Sequence, residues 1–169
     1  MGEIILVRHG QANSHATTEA DYDRLSDLGH KQAALLGEWM RAHGYAFDHV
    51  WSGTLRRHRE TVAGMGFDAD EDARLNEIDY YKLADDLHRV TGEPHPTGET
   101  FGDHMPKVFA AWSAAEIDGA ESYANFEARI AELLEEAAVP GRRLLAVTSG
   151  GVIGMVLRHL LDLDLMKMS

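Results

Sequence analysis

The sequence predicts an α/β protein of three layers, α/β/α, with a mostly parallel sheet between helices. The prediction rests on short apolar runs rich in β-formers, on longer stretches with helical spacing of apolar residues, and on the alternation of the two along the chain. Parallel strands need crossover connections, and helices supply them while covering the sheet. With 169 residues and no repeat, linker or low-complexity tract, we expect one domain over residues 1–169.

The first strand is predicted in EIILVR, residues 3–8, which is too short for a helix and apolar enough to be buried on both faces. A polar loop follows over residues 11–25. The segment SDLGHKQAALLGEWMRAHG then predicts a helix, with Ser26 as its N-terminal cap and Gly44 at its end. Its apolar positions are Leu28, Ala33, Leu35, Leu36, Trp39 and Met40.

The rest of the chain continues this alternation. FDHVWS is predicted as a short strand, TLRRHRETVAGM as a short helix, and ARLNEI as another strand or an edge segment. Residues 80–121 carry Gly, Pro and His residues and predict two modest helices. The last predicted elements are an amphipathic helix in ESYANFEARIAELLEEA, a strand in RRLLAVTS and a helix in GGVIGMVLRHLLDL.

The composition restricts the partners. There are 28 acidic and 16 basic residues, and the formal net charge of -12 argues against nucleic acid or an anionic membrane as the main partner. The absence of cysteine excludes disulfides and a thiol nucleophile. No apolar run approaches the length of a signal sequence or a membrane span, so we expect a cytoplasmic protein. The oligomeric state stays open.

Polar groups follow three of the predicted strands. Arg8 and His9 end the first, residues 52–57 follow the second, and residues 149–151 follow the last. In a parallel sheet these carboxyl ends lie at one edge, where ligands bind. Arg8 offers a planar fork of donors for phosphate oxygens, and His9 offers a nitrogen nucleophile. A lone Arg-His pair is more often structural, so further motifs have to support the chemistry.

Five motifs in order supply that support: LVRHGQA, LSDLGHKQA, SGTLRRHRET, LNEID and VTSGGVI. Together they resemble the histidine phosphatase superfamily, also called the phosphoglycerate mutase-like proteins, from residue 3 to about residue 161. The resemblance implies a phosphoglycerate mutase-like fold, a small-molecule phosphomonoester as substrate, and neither a metal nor another cofactor. Residues 80–121 match least and are expected to form a lid or specificity insertion.

The resemblance also implies roles for single residues. His9 would be the nucleophile that forms a phosphohistidine, Arg8 and Arg57 would bind the phosphoryl group, and Glu77 would be the general acid. Phosphoryl transfer needs alignment and charge stabilisation, which guanidinium groups provide, and an alkoxide leaving group needs a proton donor. The second nitrogen of His9 is expected to donate to a backbone carbonyl. Further substrate-binding candidates are Gln11, Asn13, Ser149 and Gly150.

One departure from the family pattern concerns the phosphate site. Ser149 stands where the family normally has a second histidine. Replacing a charged hydrogen bond by a neutral one costs on the order of 1 to 2 kcal/mol, and a lost oxyanion donor costs roughly 100-fold in rate. The Ser149 hydroxyl and the amides of residues 150 and 151 remain as donors. A histidine of the middle stretch could also fill this contact, although we expect His88, His95 and His104 at the surface.

Smaller departures occur elsewhere. Gly53 and Thr54 precede the Leu-x-Arg-x-x-x-Thr motif where the family usually has a proline. In the first loop, Ala12 and His15 replace the usual Ser or Thr and Asn, and Gln11, Asn13 and Ser14 are candidates to compensate. The sequence ends at Ser169, after a predicted helix, where family members usually continue into a strand, which leaves open a further C-terminal segment.

The leading hypothesis from the sequence is a phosphomonoester hydrolase with a His9 phosphoenzyme. Hydrolysis is preferred because the middle stretch is short and offers little material to enclose an intermediate against water. The alternatives are a weak or inactive phosphoester-binding protein and a phosphoglycerate mutase-type phosphotransferase. A nucleotide-binding turn in TSGGVIG is disfavoured because it lacks the G-x-G-x-x-G order.

Overall fold

The computed structural model of the chain describes residues 2–13, 15–16 and 18–163. Within these ranges lie four strands: β1 (Glu3–Arg8), β2 (His49–Ser52), β3 (Asp70–Glu71) and β4 (Arg143–Thr148). The α-helices in the same ranges are α1 (Glu19–Tyr22), α2 (Asp27–Ala42), α3 (Arg56–Gly64), α4 (Tyr80–Thr91), α5 (Phe101–Ser113), α6 (Tyr123–Ala137) and α7 (Gly150–Leu161).

The strands form one sheet in the order β1-β4-β2-β3, and every pair is parallel. Strand β4 lies inside the sheet, with Ala146 aligned with Leu6 of β1 and with Trp51 of β2. The predicted α/β fold with a parallel sheet is confirmed. Because the strands are parallel, the residues that follow β1, β2 and β4 leave the sheet at the same edge.

The chain divides into two compact units, and the sheet belongs to the first, which comprises Met1–Glu77 and Glu132–Ile153. A core of buried residues joins the sheet to α2 and α3 in this unit: Val7, Ala33, Met40, Val62, Met65, Leu145 and Val147. Glycine allows α2 to lie very close to the end of α3, since a Cβ on Gly37 would lie 2.1 Å from the carbonyl oxygen of Met65.

This close packing corrects one prediction about α2. The helix begins as expected, with Ser26 Oγ accepting from the Gly29 amide. However, Leu28, Leu35 and Trp39 are 50%, 64% and 48% exposed, and therefore do not form the buried face. The buried positions of α2 are Gly29, Ala33, Gly37 and Met40. Small residues face the core because the backbone of the neighbouring segment leaves little space.

Three further predictions need correction. Strand β1 is only partly buried, because β4 pairs with one of its edges and no described strand pairs with the other. The polar loop contains the helical turn α1, which Thr18 caps by accepting from the Asp21 amide. ARLNEI is not a strand: Ala73–Leu75 form a 3₁₀ turn, and the short strand β3 precedes it.

The second unit comprises Ile78–Ala131 and Gly154–Ser169. Helices α4 and α5 are the two helices predicted in residues 80–121. Trp112 is buried among Phe109, Tyr123 and Phe126, and its indole N–H donates to the carbonyl of Glu121. None of the helices in the described ranges has both the length and the apolar character of a membrane span.

Candidate active site at the carboxyl edge of the sheet

His9 follows β1 and is held at both its backbone and its ring. Its amide donates to the carbonyl of Thr148 at 2.9 Å, which continues the β1-β4 pairing by one residue. Its Nδ1 lies 2.7 Å from the carbonyl oxygen of Gly10. Because a carbonyl can only accept, Nδ1 carries the proton and Nε2 keeps its lone pair. The predicted bond from this ring to a backbone carbonyl is confirmed.

The surroundings keep the His9 ring neutral. The side chain is buried, and this burial lowers the pKa of His9 from 6.5 to about 4. The Gly10 carbonyl opposes the shift, while the positive charges of Arg57 and Arg8 add to it. A neutral ring with a free lone pair on Nε2 is the form that can act as a nucleophile.

Arg8 and His9 line an open cavity of about 320 Å³, together with Gly10, Gln11, Ala12, Tyr22 and Gln32. The exposed Arg8 guanidinium lies against the start of α7, since a Cβ on Gly150 would be 3.7 Å from Arg8 Cζ. The Gly10 backbone lies close to α2 as well, because a Cβ on Gly10 would be 2.5 Å from the carbonyl oxygen of Gly29. Gly10 is therefore required for this contact with α2.

Arg57, in the first turn of α3, is completely buried. Its Nη1 donates to Glu19 at 2.6 Å and to Asp23 at 3.1 Å, and its Cζ lies 5.0 Å from the ring centre of Tyr22. The ring of His9 packs edge-on against the ring of the same Tyr22, with 6.3 Å between the ring centres. His9 and Arg57 therefore both contact Tyr22. Among the described residues, Arg57 Nε and Nη2 have no hydrogen-bond partner. Such N–H groups are the kind of donor that binds an anion, and the phosphoryl-binding role of Arg57 stays a prediction.

Glu77 lies against the N-terminus of α7. Its Oε2 accepts from the Gly151 amide at 2.9 Å. Its Oε1 fills the space beside Gly151, where a Cβ would be only 2.3 Å away. The 3₁₀ turn that precedes Glu77 is fixed to β4, because Thr148 Oγ1 donates to the carbonyl of Leu75 at 2.6 Å. A half-buried carboxyl group is thus held beside the residues that follow β4.

Ser149 is completely buried, and its Oγ lies 2.6 Å from Nε2 of His58. His58 belongs to α3 and was not among the predicted site residues. Its ring is also completely buried and lies 5.7 Å from the ring of His9, centre to centre. Burial, followed by the charge of Arg57, lowers the pKa of His58 from 6.5 to about 3. The first unit therefore contains two neighbouring neutral imidazoles.

Thr61 connects α3 to the turn after His9. Its Oγ1 accepts from the Gly10 amide at 3.1 Å and donates to the carbonyl of Arg57 at 2.7 Å. This explains why a threonine is the last residue of the Leu-x-Arg-x-x-x-Thr motif.

Two predicted binding residues have partners of their own in the first loop. The Gln11 side chain accepts from Ser26 Oγ at 2.7 Å, and Gln11 also lines the cavity. Asn13 Nδ2 donates to the carbonyl of Asp21 at 3.2 Å. Gly150 is the first residue of α7. The substrate-binding roles of these three residues stay predictions.

The histidines of the middle stretch have partners within the second unit. His88 Nδ1 donates to the carbonyl of Glu93 at 2.8 Å, and His95 Nε2 lies 2.7 Å from a carboxylate oxygen of Asp85. His104 is buried against the hydroxyl of Tyr80, so the expectation that it lies at the surface is wrong. In the described ranges, no group of three or more His, Asp or Glu residues is arranged to hold a metal ion.

Sequence reasoning missed His58 because the contact with Ser149 joins residues 91 positions apart. Two local signals were available: Ser149, which departs from the family pattern, and the glycine at position 53. A Cβ on Gly53 would lie 2.1 Å from Nδ1 of His58, so the glycine makes room for this ring. Glu19 and Asp23 were also missed, because the loop that contains them shows no apolar periodicity.

Comparisons with known proteins extend these observations. The chain matches the histidine phosphatase superfamily (branch 1) over residues 4–169. A 2,3-bisphosphoglycerate-dependent phosphoglycerate mutase of Chelativorans sp. (strain BNC1) is 31% identical over 134 residues, which cover 64% of this chain and 65% of that protein. The mutase of the same description from Allorhizobium ampelinum is 30% identical over 135 residues, 64% of each chain. The alignments therefore cover less than two thirds of these relatives.

Solved structures share the fold. A phosphoserine phosphatase from Entamoeba histolytica, in complex with 3-phosphoglyceric acid, superimposes with a TM-score of 0.70 at 22% identity, covering 99% of this chain and 84% of that one. A mycobacterial glucosyl-3-phosphoglycerate phosphatase with VO3 gives a TM-score of 0.64 at 23% identity, covering 98% and 84%. The predicted phosphoglycerate mutase-like fold is confirmed.

Proposed function

The chain belongs to the histidine phosphatase superfamily, branch 1, and on that premise we propose that it is a phosphomonoester hydrolase that works through a phosphohistidine on His9. The observation that carries this proposal is the state of the His9 ring. Its Nδ1 is bound to the Gly10 carbonyl, and its buried ring is neutral at physiological pH, which leaves Nε2 for attack.

In the first step, Nε2 of His9 attacks phosphorus while the bond from phosphorus to the ester oxygen breaks. Glu77 donates the proton that the departing oxygen needs. Arg8 and the two unpaired nitrogens of Arg57 stabilise the negative charge on the phosphoryl oxygens. Phosphoryl transfer depends mainly on such positioning and charge stabilisation, and these residues supply both.

In the second step, water attacks the phosphohistidine and the phosphorus–nitrogen bond breaks. The Glu77 carboxylate accepts the proton of the attacking water and regains its starting form. His9 returns to the neutral ring and inorganic phosphate leaves. Water therefore takes the role of acceptor, as expected for a cavity that is open beside His9.

The test is turnover of a generic phosphomonoester, p-nitrophenyl phosphate, combined with trapping of the phosphoenzyme. We expect release of phosphate and an acid-labile, base-stable phosphate on His9, both absent in His9→Ala. The matched control is His49→Ala, an exposed histidine at the amino end of β2, which should retain turnover and label. A folded chain with neither turnover nor label would refute the proposal.

A mutase is the second candidate, because both curated relatives described above are phosphoglycerate mutases. Incubation with 3-phosphoglycerate and catalytic 2,3-bisphosphoglycerate separates the two reactions. A hydrolase releases inorganic phosphate, whereas a mutase interconverts the 2- and 3-phosphate isomers without net release. The specificity segment predicted in residues 80–121 stays a prediction, which a screen of phosphate esters with His9→Ala as blank would test.

A further inference from the structure

His58 is the one described imidazole beside His9 that the mechanism above does not use. Its ring is tilted by 38° to that of His9 at a centre-to-centre distance of 5.7 Å, and its Nε2 contacts Ser149 Oγ at 2.6 Å. Both side chains are completely buried. A buried polar pair next to the nucleophile costs desolvation energy that an apolar pair would not, which points to a role beyond packing.

Residues from three segments surround the His58 ring. His58 projects from α3, Ser149 follows β4, and Gly53 follows β2, where the Gly53 amide donates to the carbonyl of Val147 at 3.1 Å. Any side chain at position 53 would collide with the imidazole, since a Cβ there would lie 2.1 Å from Nδ1. The position of the His58 ring is therefore determined by backbone on one side and by Ser149 on the other.

The hydrogen-bonding groups indicate which nitrogen carries the proton. A neutral imidazole has one N–H, and Nδ1 of His58 has no hydrogen-bond partner among the described residues. A proton on Nδ1 would leave a buried N–H unpaired, which is rare, whereas a proton on Nε2 is used by Ser149 Oγ. With Oγ accepting from His58, the Ser149 hydroxyl proton needs a different acceptor.

We propose that His58 is a positioning residue for the phosphoryl site, which holds Ser149 Oγ so that the serine hydroxyl donates to the transferring phosphoryl group. The surroundings of Ser149 fit this acceptor, because Gly150 beside it begins α7 and lies against Arg8. The inference rests on the proposed function, since it names the group that completes the same phosphate site. It also accounts for a serine at a position where a charged donor is expected.

The experiment uses orthovanadate as a phosphoryl probe, together with kcat and KM for p-nitrophenyl phosphate. His58→Leu preserves bulk and removes the donor, His58→Gln retains a donor, and Ser149→Ala removes the hydroxyl. We expect His58→Leu and Ser149→Ala each to weaken vanadate binding and to lower kcat by roughly 10- to 100-fold, with little change in KM. His58→Gln should recover part of both losses.

The double variant His58→Leu/Ser149→Ala distinguishes positioning from independent effects. If His58 acts through the hydroxyl, the double variant should be about as impaired as either single variant. Losses that multiply would overturn the inference. So would a lowered melting temperature of His58→Leu with unchanged vanadate affinity and kcat, because that result indicates packing alone. If His58→Leu does not fold, the same comparison of vanadate affinity and kcat is made with His58→Gln, Ser149→Ala and their double variant.

Two controls separate this inference from the proposed function. His49→Leu, an exposed histidine at the far end of β2, should leave vanadate affinity and kcat unchanged. If the parent chain binds vanadate but hydrolyses no ester, the proposed function fails, and the vanadate affinities of the variants still decide the role of His58. If the parent chain binds no vanadate, both are refuted.

Discussion

The two glycines at the start of α7 are adjacent in sequence but have different surroundings. A Cβ on Gly151 would lie 2.3 Å from Glu77 Oε1, whereas on Gly150 it would meet nothing nearer than Arg8, at 3.7 Å. Neither glycine has a positive φ. Alanine is therefore compatible with the backbone at both positions, and only the one at position 151 would displace the carboxyl group proposed as general acid.

From this contrast we predict that Gly151→Ala lowers kcat by roughly 100-fold, because the Glu77 carboxyl would be pushed away from the leaving oxygen. Gly150→Ala should cause a much smaller loss. Both variants should be as stable as the parent chain or slightly more stable, because alanine is favoured over glycine within a helix. Steady-state kinetics and thermal unfolding of the two variants provide the comparison. Equal losses of kcat would contradict the placement of Glu77.

Among the site residues, sequence reasoning identified those whose position follows from the neighbouring sequence. It missed those whose position depends on contacts between residues that are distant in sequence. The apolar run of β1 places the Arg8-His9 pair at its end, which a pattern can predict. The contact between His58 and Ser149 depends on how β4 and α3 meet, and no local pattern encodes it. The local traces of that contact were Ser149 and the glycine at position 53.

At the scale of elements, the N-terminus of α3 has an unusual cap. Leu55 occupies the cap position and makes no side-chain bond. Asp23, from the end of α1, accepts instead from the amides of Arg56 at 2.9 Å and Arg57 at 3.1 Å, as well as from Nη1 of Arg57. One carboxylate therefore satisfies the helix end and also orients the buried guanidinium.

We predict that Asp23→Ala lowers the free energy of unfolding by about 1 to 2 kcal/mol through loss of the cap. We also expect kcat/KM to fall roughly 10-fold, because Arg57 loses a charged hydrogen bond that holds it. Asp23→Asn should restore part of the stability, since its carbonyl can still accept from an amide. Asp21→Ala is the matched control, because that exposed carboxylate pairs with Arg24 at the surface rather than with the end of α3. If urea unfolding gives the same free energy of unfolding for Asp23→Ala and Asp21→Ala, the cap of α3 by Asp23 contributes no stability.

The elements themselves were largely predictable, and α2 shows where prediction ended. Its start at Ser26 and its length follow from capping chemistry and periodicity. The choice of buried face does not, because a search for large apolar residues selects Leu35 and Trp39, which are exposed. Three of the four buried residues of α2 are small, Gly29, Ala33 and Gly37, and only the three-dimensional packing requires them.

At the scale of the whole molecule, the chain is strongly acidic, yet two arginines lie beside the candidate nucleophile. The chain carries a formal net charge of -12, yet Arg8 and Arg57 both lie beside His9. The same two cations lower the pKa of His9, and Arg57 also lowers that of His58. The two guanidinium groups therefore oppose protonation of His9, while Asp23, which pairs with Arg57, acts in the opposite direction on the pKa of His9.

This arrangement makes the stability of the whole chain depend on pH through its two buried histidines. In the unfolded chain a histidine binds a proton below about pH 6.5, whereas folded His58 does so only near pH 3. Between these values the unfolded state holds more protons, so stability decreases as the pH falls. From pH 7 to pH 5, the free energy of unfolding of the parent should decrease by about 2 kcal/mol more than that of His58→Gln. Urea unfolding of both proteins at both pH values measures this difference. His9→Gln should reduce the pH dependence in the same direction. If the free energies of unfolding of the parent and of His58→Gln change equally between the two pH values, the prediction is wrong.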